Sequence, residues 1–200
     1  RSPDRARQYD PFVERVELPV SLRRVWGEPG PGPGRGPKPA LDIDEIVDAA
    51  MALGAAGGLE AVSLTGVAGR LGVTTPALYR YLESREELRL LARERALGVP
   101  PPRRLRPPRW PDAVVAWATA LGARYREHPW LTELPVRLPL TPHALTWLEA
   151  MLEALVDAPF DTGEKLRVAA LFDGYVRSSV RAAHDLSLIH ISEPTRRYAI

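Results

Sequence analysis

No cysteine occurs in the 200 residues. Disulfides, thiolate metal sites and a cysteine nucleophile are excluded, and a reducing cytosol is the expected compartment. Lysine is nearly absent as well: Lys38 and Lys165 are the only two among 27 basic residues, a skew that fits a GC-rich genome better than a functional demand. The four histidines, His128, His143, His184 and His190, form no cluster with metal-ligand spacing. His143 and His184 read as capping or surface residues. No apolar run approaches the roughly 18–20 residues that a membrane-spanning helix needs. The opening Arg1-Ser2-Pro3-Asp4 lacks the basic, apolar and small-residue regions of a secretory signal. No metal, cofactor or membrane partner is expected.

What the chain does have is globular composition, 45% apolar and 26% charged. Its net charge of +2 hides an uneven layout: residues 1–40 carry eight basic and five acidic side chains, residues 41–98 six and nine. Bulk charge therefore gives no sign of nucleic-acid binding. Local charge does, because no acid occurs between Ala61 and Leu82, whereas Arg70 and Arg80 fall inside that gap.

The chain divides into four stretches. Residues 1–40 form an N-terminal arm in which Phe12 to Trp26 could be a short helix. The arm ends in a Gly/Pro linker over 27–39, where proline removes donors and glycine raises the cost of order. From 41 to 98 the period is helical. Asp42 with Glu45 forms a capping box, Ile43, Ile46, Val47, Ala50 and Leu53 follow at 3.6-residue spacing, and Gly57-Gly58 ends the helix. A second helix starts at Ser63 with Leu64, Val67, Ala68 and Leu71 on one face. A third opens at Pro76 after a Thr75 cap, since proline suits the first helical position and disfavours helical geometry in the residue before it. A fourth opens with the capping box Ser84-Arg85-Glu86-Glu87 and turns Leu88, Leu91 and Ala92 inward. From 99 to 110 the chain is a Pro- and Arg-rich connector. Helices follow over about 111–128, about 142–157 capped by Thr141-Pro142, and about 163–186 capped by Thr162. No strand alternation persists, so the fold is expected to be all-α.

Residues 63–82 meet the demands of a helix-turn-helix. Val67, Leu71, Val73, Leu78 and Tyr81 face inward, Ala68 stays small at the crossing, and Gly72 takes the left-handed turn that costs other residues about 1 kcal/mol or more. That geometry offers the second helix to the major groove of DNA. The bland reading is a helical hairpin in a core, with Thr74, Thr75 and Arg80 as solvated decoration. An enzyme would need a nucleophile–base or carboxylate pair. Asp42, Asp44, Glu45 and Asp48 instead read as the solvated face and N-terminus of one helix, so no enzymatic activity is expected. The alternative function is an all-helical protein-interaction module without DNA binding.

At Ile46-Val47-Asp48-Ala49-Ala50, Gly57–Leu64, Val67–Val73, Leu78–Leu82 and Ser84–Leu88 the chain resembles the tetracycline-repressor (TetR) family of bacterial transcription regulators. Trp26-Gly27, Arg35-Gly36-Pro37-Lys38-Pro39 and His128-Pro129-Trp130 resemble its actinobacterial-type branch. The resemblance implies a three-helix helix-turn-helix DNA-binding domain over 41–98 and a helical ligand-binding and dimerisation domain over 99–186. It also implies a cytoplasmic homodimer on a palindromic double-stranded DNA operator, usually a repressor, released by a small-molecule effector. By position it assigns Thr65 to the approach of the first reading helix to DNA. Thr74, Thr75, Ala77, Tyr79, Arg80 and Tyr81 fall on the recognition segment, with Tyr79 on a phosphate. Arg85 falls on a phosphate at a helix start, and Arg35 and Lys38 on arm contacts. Trp117, Tyr125, Trp130, Trp147, Phe172 and Tyr175 are candidates for lining an effector pocket, although aromatics at helical spacing are more often core.

The chain starts without methionine, so its natural start is expected upstream. Residues 187–200 show no helical or strand period and contain Pro194. They resemble a translated sequencing-adapter tail and are expected to be non-native, leaving the second domain incomplete. The 163–186 helix should then carry an exposed apolar stripe.

Overall fold

A computed structural model describes residues 19–27, 41–102, 109–135 and 140–192. Every regular element among them is helical: α1 (Val20–Val25), α2 (Ile43–Ala61), α3 (Leu64–Leu71), α4 (Thr75–Leu78), α5 (Arg85–Leu97), α6 (Trp110–Glu127), a 3-10 turn (Pro129–Glu133), α7 (Pro142–Ala154) and α8 (Thr162–Ser192). The all-α expectation holds. Most of the Gly/Pro linker, with Arg35 and Lys38, lies outside the described residues, as do 103–108 of the connector and 193–200 of the tail.

The capping box of α2 forms as the spacing predicts, with the Asp42 side chain accepting from the Asp44 amide at 3.4 Å and Glu45 accepting from the Asp42 amide at 2.9 Å. The helical path breaks at Gly57 and Gly58, and Gly58 has φ +70° and ψ −169°, a combination closed to side chains with a Cβ. Ser63 caps α3, its hydroxyl accepting from the Gly66 amide at 3.1 Å. Gly72 closes α3 in the left-handed region at φ +68°. α4 starts one residue earlier than expected: Thr74, not Thr75, is the cap, without a side-chain bond, and Thr75 is helical. Four residues make so short a helix that neighbours, more than proline's local bias, decide its first residue.

Three further boundaries depart from the sequence reading. Ser84 caps α5 by accepting from the Glu87 amide at 3.0 Å, but the Glu87 carboxylate accepts from Glu83, at 2.6 Å, instead of closing the box on Ser84. α8 is capped by Asp161, which accepts from the Glu164 amide at 2.7 Å while Glu164 accepts back at 2.9 Å; its neighbour Thr162 is already helical. A carboxylate gives the stronger cap where two acceptors adjoin. α8 also continues six residues past the predicted end, to Ser192. Propagating a helix is cheap once it has started, and nothing between Ser187 and Ser192 breaks it before the residue preceding Pro194.

A single apolar core runs through the described residues, from Ile46, Leu78 and Leu88 to Leu121, Met151 and Val176. One close approach joins its two ends. Gly54 of α2 lies against the Trp130 indole of the 3-10 turn, so that a Cβ there would come within 2.8 Å of Trp130 Nε1. Gly66 is equally confined, its missing Cβ 2.9 Å from the Ala61 carbonyl oxygen, while Gly69 faces open space.

Those environments predict opposite signs for one substitution. Gly54→Ala should destabilise by about 1–3 kcal/mol, because Trp130 is enclosed and cannot retreat. Gly69→Ala should stabilise α3 by about 1 kcal/mol. Thermal unfolding of the two variants beside the parent chain measures both, and equal shifts would contradict the packing described.

Candidate nucleic-acid interface

α3, the Gly72 turn and α4 form the helix-turn-helix. Val67, Ala68 and Leu78 are buried, and Leu71, Val73 and Tyr81 are half-buried against them, so the inward set matches the sequence pattern. Arg89 of α5 braces the entry by donating through Nε to the Val62 carbonyl at 3.2 Å and through Nη2 to the Leu59 carbonyl at 3.1 Å. Arg95 ties α5 to α2, pairing with Asp44 and, at 2.6 Å, with Asp48. Asp44 and Asp48 stay on the solvated face, as the sequence reading had them, and pair there with Arg95. Sequence periodicity had no means of finding either arginine's partners, which lie dozens of residues away.

The side opposite the core is open. Thr65, Thr74, Tyr79, Arg80 and Arg85 are exposed, with Tyr79 57% accessible although it is aromatic. Thr75, Ala77 and Tyr81 are half-buried at its edge. Among the described residues Arg70 and Arg80 pair with no carboxylate, and Arg85 has only Glu86, loosely, at 3.7 Å. An exposed turn-and-helix edge with the guanidinium groups of Arg70 and Arg80 and no acid between Ala61 and Leu82 is an arrangement suited to phosphate and base edges.

The aromatic candidates of the second half do not converge on one space. Trp117 and Trp147 meet edge to face at 6.0 Å. Both indoles are hydrogen-bonded, Trp117 Nε1 to the Trp147 carbonyl and Trp147 Nε1 to the Gly98 carbonyl, each at 2.9 Å. Trp130 is enclosed beside Gly54, Phe172 is half-buried on the core, and Tyr175 is 68% exposed on α8. Buried Tyr125 donates to Asp173 at 3.1 Å and lies under the Arg177 guanidinium, 5.5 Å from its ring centre. Arg93 of α5 is set close to these groups, and burial lowers its pKa.

α5 therefore ends inside the second half of the molecule. Arg124 donates from α6 to the carbonyls of Leu97, at 3.0 Å, and Ala96. Glu94 accepts from the His143 amide in the first turn of α7, and His143 Nδ1 lies 2.7 Å from the Glu94 carbonyl oxygen. These anchors connect the helix behind the reading edge to both α6 and α7.

A helix-turn-helix presented on a helical body is the architecture of a DNA-reading regulator class. Residues 46–92 match the family model described as bacterial regulatory proteins, tetR family. The chain is 35% identical over 168 residues to the HTH-type transcriptional repressor DrrR1 of Streptomyces coeruleorubidus, covering 83% of this chain and 62% of that protein. An HTH-type transcriptional regulator of Saccharopolyspora erythraea is 31% identical over 146 residues, covering 72% of this chain and 62% of its own. The chain thus spans about three fifths of the length of these curated relatives. The fold is similar to that of the Streptomyces coelicolor TetR family protein ActR in complex with (S)-DNPA. That match has a TM-score of 0.64 at 24% identity over 78% of this chain and 81% of ActR. Over residues 46–92 the chain thus carries the segment described by the tetR family of bacterial regulatory proteins, and its curated relatives are HTH-type transcriptional regulators.

The Tyr125 environment sets an alkaline signature. Burial, with Asp173 adding to it, pushes the phenol up to about 12 from its ordinary 10. The folded state keeps the proton that the unfolded chain gives up, so stability is complete below pH 10 and falls as pH rises toward 12, by about 2–3 kcal/mol. Tyr125→Phe should lose some stability at neutral pH yet show a shallower decline between pH 10 and 12. Denaturant midpoints across that range test it; parallel declines would remove Tyr125 as the source.

Proposed function

We propose that this chain is the greater part of a ligand-responsive transcriptional repressor, cytoplasmic, that binds a palindromic operator as a homodimer and leaves it when a small molecule binds. The observation that carries the DNA half is the exposed edge formed by Thr65, Thr74, Tyr79, Arg80 and Arg85, free of acids from Thr65 to Arg80. Tyr79 and Arg85 are assigned to phosphates and Arg80, with Thr75 and Ala77 beside it, to base edges. Arg35 and Lys38 of the arm are assigned to further backbone or minor-groove contacts. Repression follows the likeness to DrrR1, an HTH-type transcriptional repressor.

The dimer reading is supported by α8. Leu171, Tyr175 and Ala182 recur at helical spacing on an exposed face of α8, and Leu171 is 69% exposed. An apolar stripe of that kind fits helix-on-helix pairing with a second copy. The effector reading is supported by ActR, whose structure holds (S)-DNPA. Trp117, Tyr125, Trp147, Phe172 and Tyr175 stay the aromatic candidates for contacting an effector. The anchors at Glu94, Leu97 and Gly98 are the lever, since a shift of α6 or α7 moves the end of α5. An effector switches the protein only by binding the DNA-incompetent arrangement more tightly than the competent one.

Selection from a random duplex library should return an inverted repeat with half-sites about 34–36 Å apart, or a multiple of one turn. Arg85→Ala should weaken binding to every sequence and flatten the salt slope by about one unit, whereas Arg80→Ala should relax preference at particular bases. A dimeric preparation without salt-sensitive affinity for any selected duplex would falsify the reading.

A further inference from the structure

α1 lies upstream of the family-matched segment, yet it reaches into the corner behind the recognition helix. Arg24 Nη1 donates to the Tyr81 carbonyl oxygen and lies 2.7 Å from Glu87 Oε1. Glu87 is 1% exposed, and its other oxygen accepts from the Glu83 amide at 2.6 Å. Arg24 is itself mostly covered, with 15% of its side chain accessible.

These contacts follow from what α4 lacks. Its final carbonyls have no further turn to accept, and the Leu78 carbonyl already serves the amides of both Tyr81 and Leu82. Three residues past the end of α4, the Tyr81 carbonyl receives the Arg24 guanidinium. The guanidinium thus satisfies a backbone carbonyl of the turn that follows the helix. On the far side of the corner the Glu83 amide is held by Glu87, which would be an uncompensated buried charge without Arg24.

We infer that Arg24 is a positioning residue of the reading head: from a separate N-terminal helix it ties down the turn that follows the recognition helix, through the Tyr81 carbonyl, and supplies the counter-charge of Glu87. It fixes the Tyr81–Glu83 corner that orients Tyr79 and Arg80 on one side and Arg85 on the other, without touching DNA. The inference about DNA affinity rests on the proposed operator binding; the corner itself does not.

The test uses the whole chain, amide hydrogen exchange, and the duplex returned by library selection. Arg24→Ala should speed exchange at the Leu82 and Glu83 amides. It should also lower affinity about tenfold, the loss expected when the binding geometry is populated a tenth of the time, with an unchanged salt slope. Because Arg24→Ala strands Glu87 and could lower stability generally, R24M/E87Q is the second variant. It removes the stranded charge and keeps an acceptor for Glu83, so the melting temperature should recover while corner exchange stays fast and affinity stays low. Recovery of affinity along with stability would reduce Arg24 to charge compensation and overturn the positioning role. A salt slope smaller by one unit would make it a phosphate contact. Unchanged exchange in folded Arg24→Ala would also overturn it, and that readout decides even if no form of the protein binds a duplex.

Discussion

A helix of four residues is far below the length at which backbone hydrogen bonds sustain themselves in water, so the geometry of α4 has to be imposed from outside. Burial of Leu78 against Val67 and Ala68 fixes its depth. The left-handed Gly72 turn fixes its angle to α3, and Arg89 holds the carbonyls that lead into α3. The residues offered to the exterior are those left over once these demands are met. Exposure of Tyr79 and Arg80 is in this sense an outcome of packing, because the other side of a single turn is wholly committed.

A similar logic governs the second half, where aromatic side chains act as struts. The Trp117–Trp147 pair spends both indole N–H groups on backbone carbonyls, one of them the Gly98 carbonyl just past α5. Arg124 and Glu94 make the same junction polar and directional. Buried tryptophan and tyrosine ordinarily find such partners, and here the partners lie on different helices. The consequence is that α5 belongs mechanically to both halves.

The all-α class, the capping of α2, the Ser63 cap, the Gly72 turn and the inward set of the helix-turn-helix were legible because each depends on residues within about one or two turns of each other. What could not be read was held over longer separations. Glu87 matched a local capping box, and only the folded chain turns it toward Glu83 and Arg24. Thr162 was read as the cap of α8, and the folded chain gives that place to Asp161 through its carboxylate bond to the Glu164 amide. The end of α8 was misjudged because loss of apolar period was taken for loss of helix, although a polar or mixed stretch continues a helix until a breaker arrives. The roles of Thr65, Thr74, Thr75, Ala77, Tyr79, Arg80, Tyr81 and Arg85 came from family resemblance; the structure adds the exposure of Thr65, Thr74, Tyr79, Arg80 and Arg85, with Thr75, Ala77 and Tyr81 half-buried beside them.

α1 also bears on modularity. Trp26 Nε1 donates to the Leu140 carbonyl at 2.9 Å, two residues after the guanidinium that meets Glu87. A six-residue helix thus straddles the seam between the matched segment and the body behind it, much as a tongue bridges a joint. Grafting residues 46–92 alone onto a foreign regulatory body would leave behind both the counter-ion and the splice. A transplantable cassette for this protein therefore begins at α1, ahead of the linker.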